Sequence, residues 1–176
     1  DGTQGDGSSG DPSISGDGRY VAFESAATNL VDDDTNGSPD IFVHDRKTGK
    51  TKRVSVHSNG DEADAQSGEG SSISGNGRYV AFHSYASDLV PGDDNGFADV
   101  FLIDLDANAT ASIKVSQAAG GGSADGGSFY PALDENGSRI VFESLATNLG
   151  QDPNPYVSDV FLYDFSTGEL KCISAS

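Results

Sequence analysis

The sequence has no methionine, no tryptophan and a single cysteine, Cys172. One cysteine excludes an internal disulfide bond and any zinc site that needs several cysteine ligands. A natural reading frame begins with methionine, whereas this chain begins Asp1-Gly2-Thr3, so we expect a processed product or a piece of a longer protein. No apolar run approaches the length of a membrane span, and no membrane insertion is predicted.

Basic residues are also scarce. The chain has 10 lysines and arginines against 28 acidic residues, which gives a formal net charge of -18. Nucleic acids and anionic membranes attract positive surfaces, so this balance argues against either as a partner. An acidic surface suits an extracellular setting or bound cations. We therefore expect a secreted or periplasmic, cell-envelope protein.

What the sequence does contain is a repeat that covers nearly the whole chain. Three similar segments begin at Ser13 (SISGDGRYVAFES), Ser72 (SISGNGRYVAFHS) and Ala132 (ALDENGSRIVFES). Matching positions in successive segments are 59 and then 60 residues apart. Internal repeats of a few tens of residues are typical of solenoids and propellers. Each segment is followed by a second matching block, which is DIFVHD from Asp40, DVFLID from Asp99 and DVFLYD from Asp159.

Each repeat unit predicts four short strands. Asp-Gly or Asn-Gly separates the first two, and these pairs are strong hairpin signals. The second and third strands are almost continuously apolar, which indicates burial on both faces. Radially repeated four-stranded antiparallel sheets are the blades of a β-propeller. We predict an all-β chain that forms one propeller half-domain over residues 1–176, with blades at approximately 11–56, 70–116 and 129–174.

The first unit, PSISGDGRYVAFES followed by DIFVHDRKTGKTKRVSV, resembles the TolB-type, WD-like β-propeller repeat. Blades of that family have a Ser-Pro-Asp-Gly-like turn and an Asp-Ile-Phe-Val-like third strand. The chain departs from this pattern at Gly16 and Gly75, where the family usually has proline, and at Asp134-Glu135-Asn136-Gly137. The resemblance covers all three units and implies a propeller fold with protein partners.

Three blades do not close a ring, because closed propellers typically have four to eight. An isolated half-ring would expose two apolar blade faces, which a soluble monomer does not tolerate. Two explanations fit. The chain is a segment of a larger propeller, or two copies associate into a six-bladed ring as a homodimer with two-fold symmetry. We favour the homodimer if the chain is stable alone.

The long acidic loops between the second and third strands predict calcium sites. Asp-x-Asp-x-Asn-Gly spacing can wrap alternating oxygen ligands around one Ca²⁺ ion. The alternative is structural: an aspartate before each third strand can hold its own loop by accepting backbone hydrogen bonds. The third unit has Pro153 and Pro155 in this loop and is the weakest candidate. The predicted metal ligands are Asp32, Asp34, Asn36, Asp40, Asp93, Asn95 and Asp99.

No catalytic motif is evident, and we predict that the chain is not an enzyme. It has no Gly-x-Ser-x-Gly nucleophile elbow and no histidine pair with metal-ligand spacing. The leading hypothesis is a non-catalytic protein-interaction or scaffold module. One alternative is a propeller that flanks a hydrolase or peptidase whose catalytic residues lie outside this chain. Another is a calcium-dependent carbohydrate-binding adhesin module that uses Phe97, Phe129, Tyr130 and Tyr156.

Overall fold

The computed structural model describes residues 3–106, 111–150 and 157–174, and in these ranges it contains strands and turns but no helix. The strands form three antiparallel four-stranded sheets, which are the blades. Blade 1 contains β1 (Ser9–Ile14), β2 (Tyr20–Ser25), β3 (Asp40–Asp45) and β4 (Lys50–Arg53). Blade 2 contains β5 (Ser67–Ile73), β6 (Tyr79–Ser84), β7 (Asp99–Asp104) and β8 (Ile113–Lys114). Blade 3 contains β9 (Ser128–Leu133), β10 (Arg139–Ser144), β11 (Asp159–Asp164) and β12 (Glu169–Cys172).

In every blade each strand pairs with the next strand along the chain. The sequence prediction of an all-β chain with three four-stranded blades is therefore confirmed. The tight turn between the first two strands uses Gly18 (φ 69°), Gly77 (φ 71°) and Gly137 (φ 69°). Glycine adopts this left-handed conformation without a steric penalty, which is why the Asp-Gly and Asn-Gly pairs recur here.

The first strand of each blade begins earlier than the Pro-Ser-Ile-Ser pattern suggests, because a β-bulge lies inside it. Pairing with the second strand shifts register between Gly10 and Ser13, and equivalent shifts occur in the other two blades. The bulge places Asp11 (φ 47°), Gly70 (φ 116°) and Tyr130 (φ 52°) in positive-φ conformations. An extra residue at a bulge re-aims a side chain without ending the strand.

The blades stack through apolar faces that alternate along the central strands. We call the face toward the preceding blade the leading face and the face toward the following blade the trailing face. The trailing face of blade 1 and the leading face of blade 2 share one core cluster, and blades 2 and 3 share a second. Members of the first include Ala22, Ile41, Val43 and Val54 against Ile73, Val80, Phe82, Phe101 and Ile103. Members of the second include Ala81, Val100, Leu102 and Val115 against Ile140, Phe142 and Phe161.

Hydrogen bonds between the first strands reinforce both stacks. The Ile73 backbone N–H donates to Ser13 Oγ at 3.1 Å, and the Leu133 N–H donates to Ser72 Oγ at 3.0 Å. The equivalent residue of blade 3 is Ala132, which has no hydroxyl group. The same inter-blade hydrogen bond therefore forms twice inside the chain, between blades 1 and 2 and between blades 2 and 3. Blade 3 lacks the hydroxyl acceptor that would form it with a following blade.

Two apolar faces remain without a neighbouring blade. Ile14 on the leading face of blade 1 is 58% exposed, whereas Ile73 at the same repeat position is 5% exposed. Ile173 on the trailing face of blade 3 is 49% exposed, whereas its counterparts Val54 and Val115 are buried. Because the exposure differs only where a neighbouring blade is missing, both ends have surfaces suited to another blade.

Candidate functional site

The two ends of the blades differ sharply in charge. We call the end with the second-to-third-strand loops and the blade connections the loop end, and the opposite end the turn end. All ten basic residues of the chain lie in its described part. Lys52 and Lys171 lie on the outer strands, and Arg53 and Lys114 are buried. The remaining basic residues lie at the turn end and are Arg19, Arg46, Lys47, Lys50, Arg78 and Arg139.

Arg53 is the buried cation of blade 1. In the sequence Arg53 lies close to Arg46, Lys47, Lys50 and Lys52, but the structure buries it among loop-end carboxylates. Its Nη1 atom lies 3.5 Å from both Asp34 Oδ1 and Asp40 Oδ2, and 2.5 Å from Glu62 Oε1. Its Nη2 donates to the Asp33 carbonyl at 2.7 Å. One guanidinium thus joins the outer strand, the acidic loop and the connection to blade 2.

Lys114 is the corresponding cation of blade 2. Its Nζ atom lies 2.9 Å from Asp93 Oδ1 and 2.6 Å from Asp99 Oδ2, and all three side chains are almost fully buried. Lys114 occupies the repeat position of Arg53. The charge of the predicted metal-binding carboxylates is therefore balanced in both blades by a cation that the chain itself supplies.

A serine completes each cluster. Ser55 Oγ donates to Asp40 Oδ1 at 2.5 Å and accepts the Ile41 N–H at 3.0 Å. Ser116 does the same for Asp99 and Val100. In blade 3 Ser174 contacts Asp159 and accepts the Val160 N–H. The repeated aspartate is thus a structural anchor that a serine after the outer strand holds, and in blades 1 and 2 an asparagine of its own loop also donates to it.

Blade 3 departs from the pattern because Cys172 stands where the other blades have a cation. Its thiol is partly exposed and lies 3.6 Å from Ser174 Oγ. Asp159 belongs to this blade, whereas the loop residues Asp152 to Tyr156 lie outside the described residues. Among the residues that the structure describes, no basic side chain forms an ion pair with Asp159.

The seven predicted metal ligands separate into four groups. Asp34 and Asp40 converge on Arg53, and Asp93 and Asp99 converge on Lys114. Asp32 is exposed to solvent. The amides of Asn36 and Asn95 direct their NH₂ groups toward Asp40 and Asp99, while their oxygens accept N–H bonds within their own loops. Sequence reasoning did not find Glu62, Ser55 or Ser116 as members of these clusters.

Burial controls the ionisation of these carboxyl groups. Removal from water raises the pKa of Asp40 to about 6, and it raises the pKa values of Asp34 and Asp93. Burial also acts on Glu62, but hydrogen bonds from Thr35 outweigh it and lower the pKa of Glu62 to about 2. Glu62 thus stays ionised at neutral pH and pairs with Arg53. A buried charge without a partner is costly, so these carboxylates depend on the nearby cation.

Calcium binding by these loops stays a prediction. In its favour, ligand oxygens of Asp34, Asp40 and Glu62 lie within 4.8 Å of one another, and Asp34 Oδ1 accepts no hydrogen bond in the described structure. Carboxylate oxygens are the ligands that Ca²⁺ prefers. The Arg53 guanidinium already lies against these three groups. A calcium ion at this place would share the carboxylates with Arg53 or displace it.

A second buried group, His83, lies at the loop end near the first strands. The sequence places Glu24, His83 and Glu143 at one repeat position with the potential to line a channel. His83 is 1% exposed, and its Nδ1 atom has no hydrogen-bond partner. Burial lowers the pKa of His83 to about 4, so the imidazole is neutral at pH 7. Its ring packs against Tyr85, Phe129 and Tyr130 at centroid distances of 5.3 to 6.5 Å.

Comparison with solved structures identifies the architecture. The chain superposes on TolB from Acinetobacter baumannii with a TM-score of 0.58 and 16% identity, covering 95% of this chain and 32% of that one. The chain has the β-propeller fold of TolB-type proteins. A putative TolB from Agrobacterium tumefaciens gives a TM-score of 0.59 at 17% identity, with 94% of this chain and 48% of that chain covered. The sequence resemblance is thus confirmed as a likeness of fold.

Other propellers are similar to the same degree. The β-propeller domain of the Trilobed protease from Pyrococcus furiosus matches with a TM-score of 0.57 and 13% identity, covering 94% of this chain and 41% of that one. Neither a family model nor a curated protein matches the sequence. The chain spans less than half the length of each of these propellers. In its described part, no helix could cross a membrane.

The internal cation of blade 2 leads to a direct prediction. Replacing Lys114 with methionine keeps the aliphatic stem but leaves Asp93 and Asp99 buried without a cation. We expect Lys114→Met to lower the free energy of unfolding by about 3 to 5 kcal/mol, measured by urea titration at pH 7. Lys171→Met is the matched control at an exposed site of β12, and it should change the free energy of unfolding by less than about 0.5 kcal/mol. Equal effects of the two changes would contradict the structural role of Lys114.

The same two proteins test the calcium prediction. Thermal melts are recorded in calcium and in a chelator for the unaltered chain and for Lys114→Met. A melting temperature that is higher in calcium supports metal binding by the loops. A larger calcium effect in Lys114→Met is expected, because the lost ammonium frees two carboxylates for the ion. If each of the two proteins melts at the same temperature in calcium as in chelator, the calcium prediction is contradicted.

His83 leads to a pH prediction. The unfolded imidazole takes up a proton near pH 6.5, whereas the folded one does so only near pH 4. Between these values the unfolded state binds more protons, so stability falls as the pH drops. The unaltered chain should lose up to about 3 kcal/mol of its free energy of unfolding between pH 7 and pH 4 because of His83. We expect this loss to be absent in His83→Phe. The measurement is urea unfolding at several pH values.

The control for this experiment is His57→Gln, in a loop away from the apolar packing of His83. Asp40, with its raised pKa, contributes a pH dependence of opposite sign in the same range. Because that contribution is common to all three proteins, the difference between them isolates His83. If His83→Phe and the unaltered chain lose stability in parallel, the imidazole is not the responsible group.

Proposed function

We propose that this chain is a non-catalytic protein-interaction module that acts as a propeller scaffold in a secreted or cell-envelope bacterial protein. The observation that carries the proposal is the separation of charge between the two ends. The loop end presents the carboxylates of the long loops, and its two basic residues are buried in ion pairs. The turn end carries six basic residues, of which Arg19, Arg78 and Arg139 pair with Asp45, Asp104 and Asp164, so this end lacks the strong negative excess of the loop end.

Fixed loops support a binding role for the loop end. In a propeller, rigid blades hold the loops at one end, and such loops commonly carry function. Arg53 and Lys114 tie two of these loops to the outer strands. Loops held in this way lose little conformational entropy when a partner binds, which favours affinity. The exposed acidic groups then select partners of positive charge.

The proposal assigns no catalytic role to the chain. The described histidines have structural partners: His44 contacts Thr51, His57 contacts Asn59, and His83 packs among aromatic rings. Solved structures with a similar fold include a tricorn protease and prolyl endopeptidases, of which this chain covers 13% and 22%. The alternative of a propeller beside a hydrolase would place the catalytic groups in a different part of such a protein.

We also propose that the open blade faces are covered when the chain works. Apolar residues on the trailing face of blade 3 occupy the repeat positions with which blades 1 and 2 contact the following blade. Apolar residues on the leading face of blade 1 occupy the positions with which blades 2 and 3 contact the preceding blade. For the chain alone, a second copy can satisfy both faces at once and close a six-bladed homodimer. In a longer protein, further blades would satisfy them instead.

Light scattering coupled to size exclusion tests self-association. We expect a dimer mass for the unaltered chain and a monomer mass for Ile14→Lys or Ile173→Lys, because each change buries a charge in the pairing surface. Ile113→Lys is the control, since Ile113 is 50% exposed on the outer strand β8. A compact monomer of the unaltered chain would contradict pairing of this chain by itself.

A capture experiment tests the interaction role. The immobilised chain is exposed to envelope proteins from a bacterium that encodes it. We expect a specific partner to bind the unaltered chain and the turn-end variant Lys47→Gln/Lys50→Gln. Capture should be lost in the loop-end variant Asp32→Asn/Asp33→Asn/Asp94→Asn, all of whose positions are exposed. A partner that is lost only from the turn-end variant would overturn the assignment of the loop end.

A further inference from the structure

An apolar hollow lies at the loop end between blades 2 and 3. It has a volume of about 440 Å³ and is open to solvent. We call it the aromatic hollow. Tyr85, Phe97 and Leu145 in its wall are each more than 40% exposed, and Phe129 forms the side toward the first strand of blade 3. A smaller hollow of about 130 Å³, lined by Glu24, Gln66 and His83, lies on the other side of Tyr85.

The rings around this place form one contiguous cluster. Phe129 lies 6.5 Å from Tyr85, 6.2 Å from Tyr130 and 5.3 Å from His83, measured between ring centroids. Tyr130 is 55% exposed and sits at the bulge with a positive φ of 52°. The same bulge gives Asp11 and Gly70 positive φ angles in the other blades, so only the aromatic side chain of Tyr130 is specific to this place. Scattered apolar residues on a surface need no explanation, but a contiguous patch does.

The repeat itself does not require these aromatic residues. Tyr85 corresponds to Ala26 in blade 1, and Phe97 corresponds to Ser38. Tyr130 corresponds to Gly70 in blade 2 and to Asp11 in blade 1. The joint between blades 1 and 2 is stable without such rings, since its core is formed by the apolar blade faces. The aromatic hollow is therefore an addition to the scaffold at one joint of the chain.

The surroundings of the hollow are negatively charged. Asp125 lines it, and hydrogen bonds from the Thr147 hydroxyl and backbone N–H lower the pKa of Asp125 and keep it ionised at neutral pH. Glu24 lines the smaller hollow. The two basic residues at the loop end, Arg53 and Lys114, are paired with carboxylates in their own clusters. The electrostatic potential at this place therefore favours a cation.

His83 supplies an independent sign of a ligand. Its Nδ1 atom is buried without a hydrogen-bond partner, and the side chain lines the smaller hollow. Buried polar atoms are normally paired, and an unpaired one calls for a partner that a ligand can provide. The neutral imidazole also leaves the site free of positive charge that would repel a cation. Tyr85 lines both hollows: the aromatic faces and Asp125 border the aromatic hollow, and the His83 side chain borders the smaller one.

We propose that the aromatic hollow binds a lysine or arginine side chain that projects from a protein partner. The cation would lie over the faces of Tyr85, Phe97 and Phe129, an arrangement that is favourable for ammonium and guanidinium groups. The aliphatic stem would cover apolar ring surface, and Asp125 would lie at the rim. This proposal rests on the proposed protein-interaction function and specifies the chemistry of the partner.

The test uses a labelled peptide of alternating glycine and lysine, whose binding is followed by fluorescence anisotropy. Two matched peptides carry norleucine or acetyl-lysine in place of each lysine, so the stem is kept and the charge is lost. We expect the lysine peptide to bind at least about tenfold more tightly than either control. Tyr85→Ala and Phe97→Ala should each lower the affinity for the lysine peptide by about tenfold, and Asp125→Asn should lower it by several-fold.

Two variants control for general effects. Ile113→Ala removes an exposed apolar side chain from the outer strand β8, and Glu169→Gln removes an exposed negative charge from β12, away from the loop end. Both should change the affinity by less than about twofold. Circular dichroism melts of every variant establish that it is folded. A Phe97→Ser variant, which matches the residue of blade 1, gives a second measurement if Tyr85→Ala does not fold.

Several results would overturn the inference. Equal binding of the norleucine peptide would show that charge plays no part, and an equal loss of affinity in Glu169→Gln would show general electrostatic attraction only. Binding of a neutral oligosaccharide that is lost in Tyr85→Ala would assign the hollow to carbohydrate. Conversion of a dimer into a monomer by Tyr85→Ala would assign it to a second copy.

The outcome also separates this inference from the broader proposal. If the lysine peptide fails to bind while envelope-protein capture still depends on the loop end, the proposal that the aromatic hollow binds a cationic side chain is wrong. The proposed interaction role of the chain then stands. If capture also fails, the interaction role is wrong as well.

Discussion

The buried pairing of one cation with two or more carboxylates is the constraint on which the loop end of this protein depends. Arg53 and Lys114 each reach from an outer strand into an acidic loop that would otherwise repel itself. Isolated ion pairs in a protein interior contribute little net stability, because both charges lose water. Their effect here is geometric: they allow aspartates to be buried beside the third strands, and they fix the loops that lead there.

The fold could be predicted from the sequence because its signals are local and repeated three times. The third strand DIFVHD is found where the pattern placed it, at Asp40–Asp45, and its two counterparts also match. The early start of the first strand could not be predicted, since a bulge interrupts the period of two on which strand patterns depend. Asp11 and Tyr130 adopt positive φ angles at the bulge, and neither residue type predicts that conformation from sequence.

The site was less accessible to sequence reasoning for a physical reason. Closely spaced aspartates look the same whether their charge is balanced by a metal ion or by a side chain from another strand. The alignment of Arg53, Lys114 and Cys172 at one repeat position was visible, but their approach to the acidic loops depends on the pairing of the third and fourth strands. Similarly, the sequence indicates Phe129 and Tyr130 as candidate ligand-binding aromatics, whereas their contact with His83 arises only when blades 2 and 3 stack.

Ala132 has a consequence for any ring that continues past blade 3. Inside the chain, Ser13 and Ser72 each accept a backbone hydrogen bond from the next blade, and a blade that follows Ala132 finds no such acceptor. A ring made of two copies would therefore alternate two tight joints within each chain with one looser seam between chains. The seams would then be the joints at which such a ring separates most readily, with each half keeping the two hydrogen-bonded joints inside its own chain.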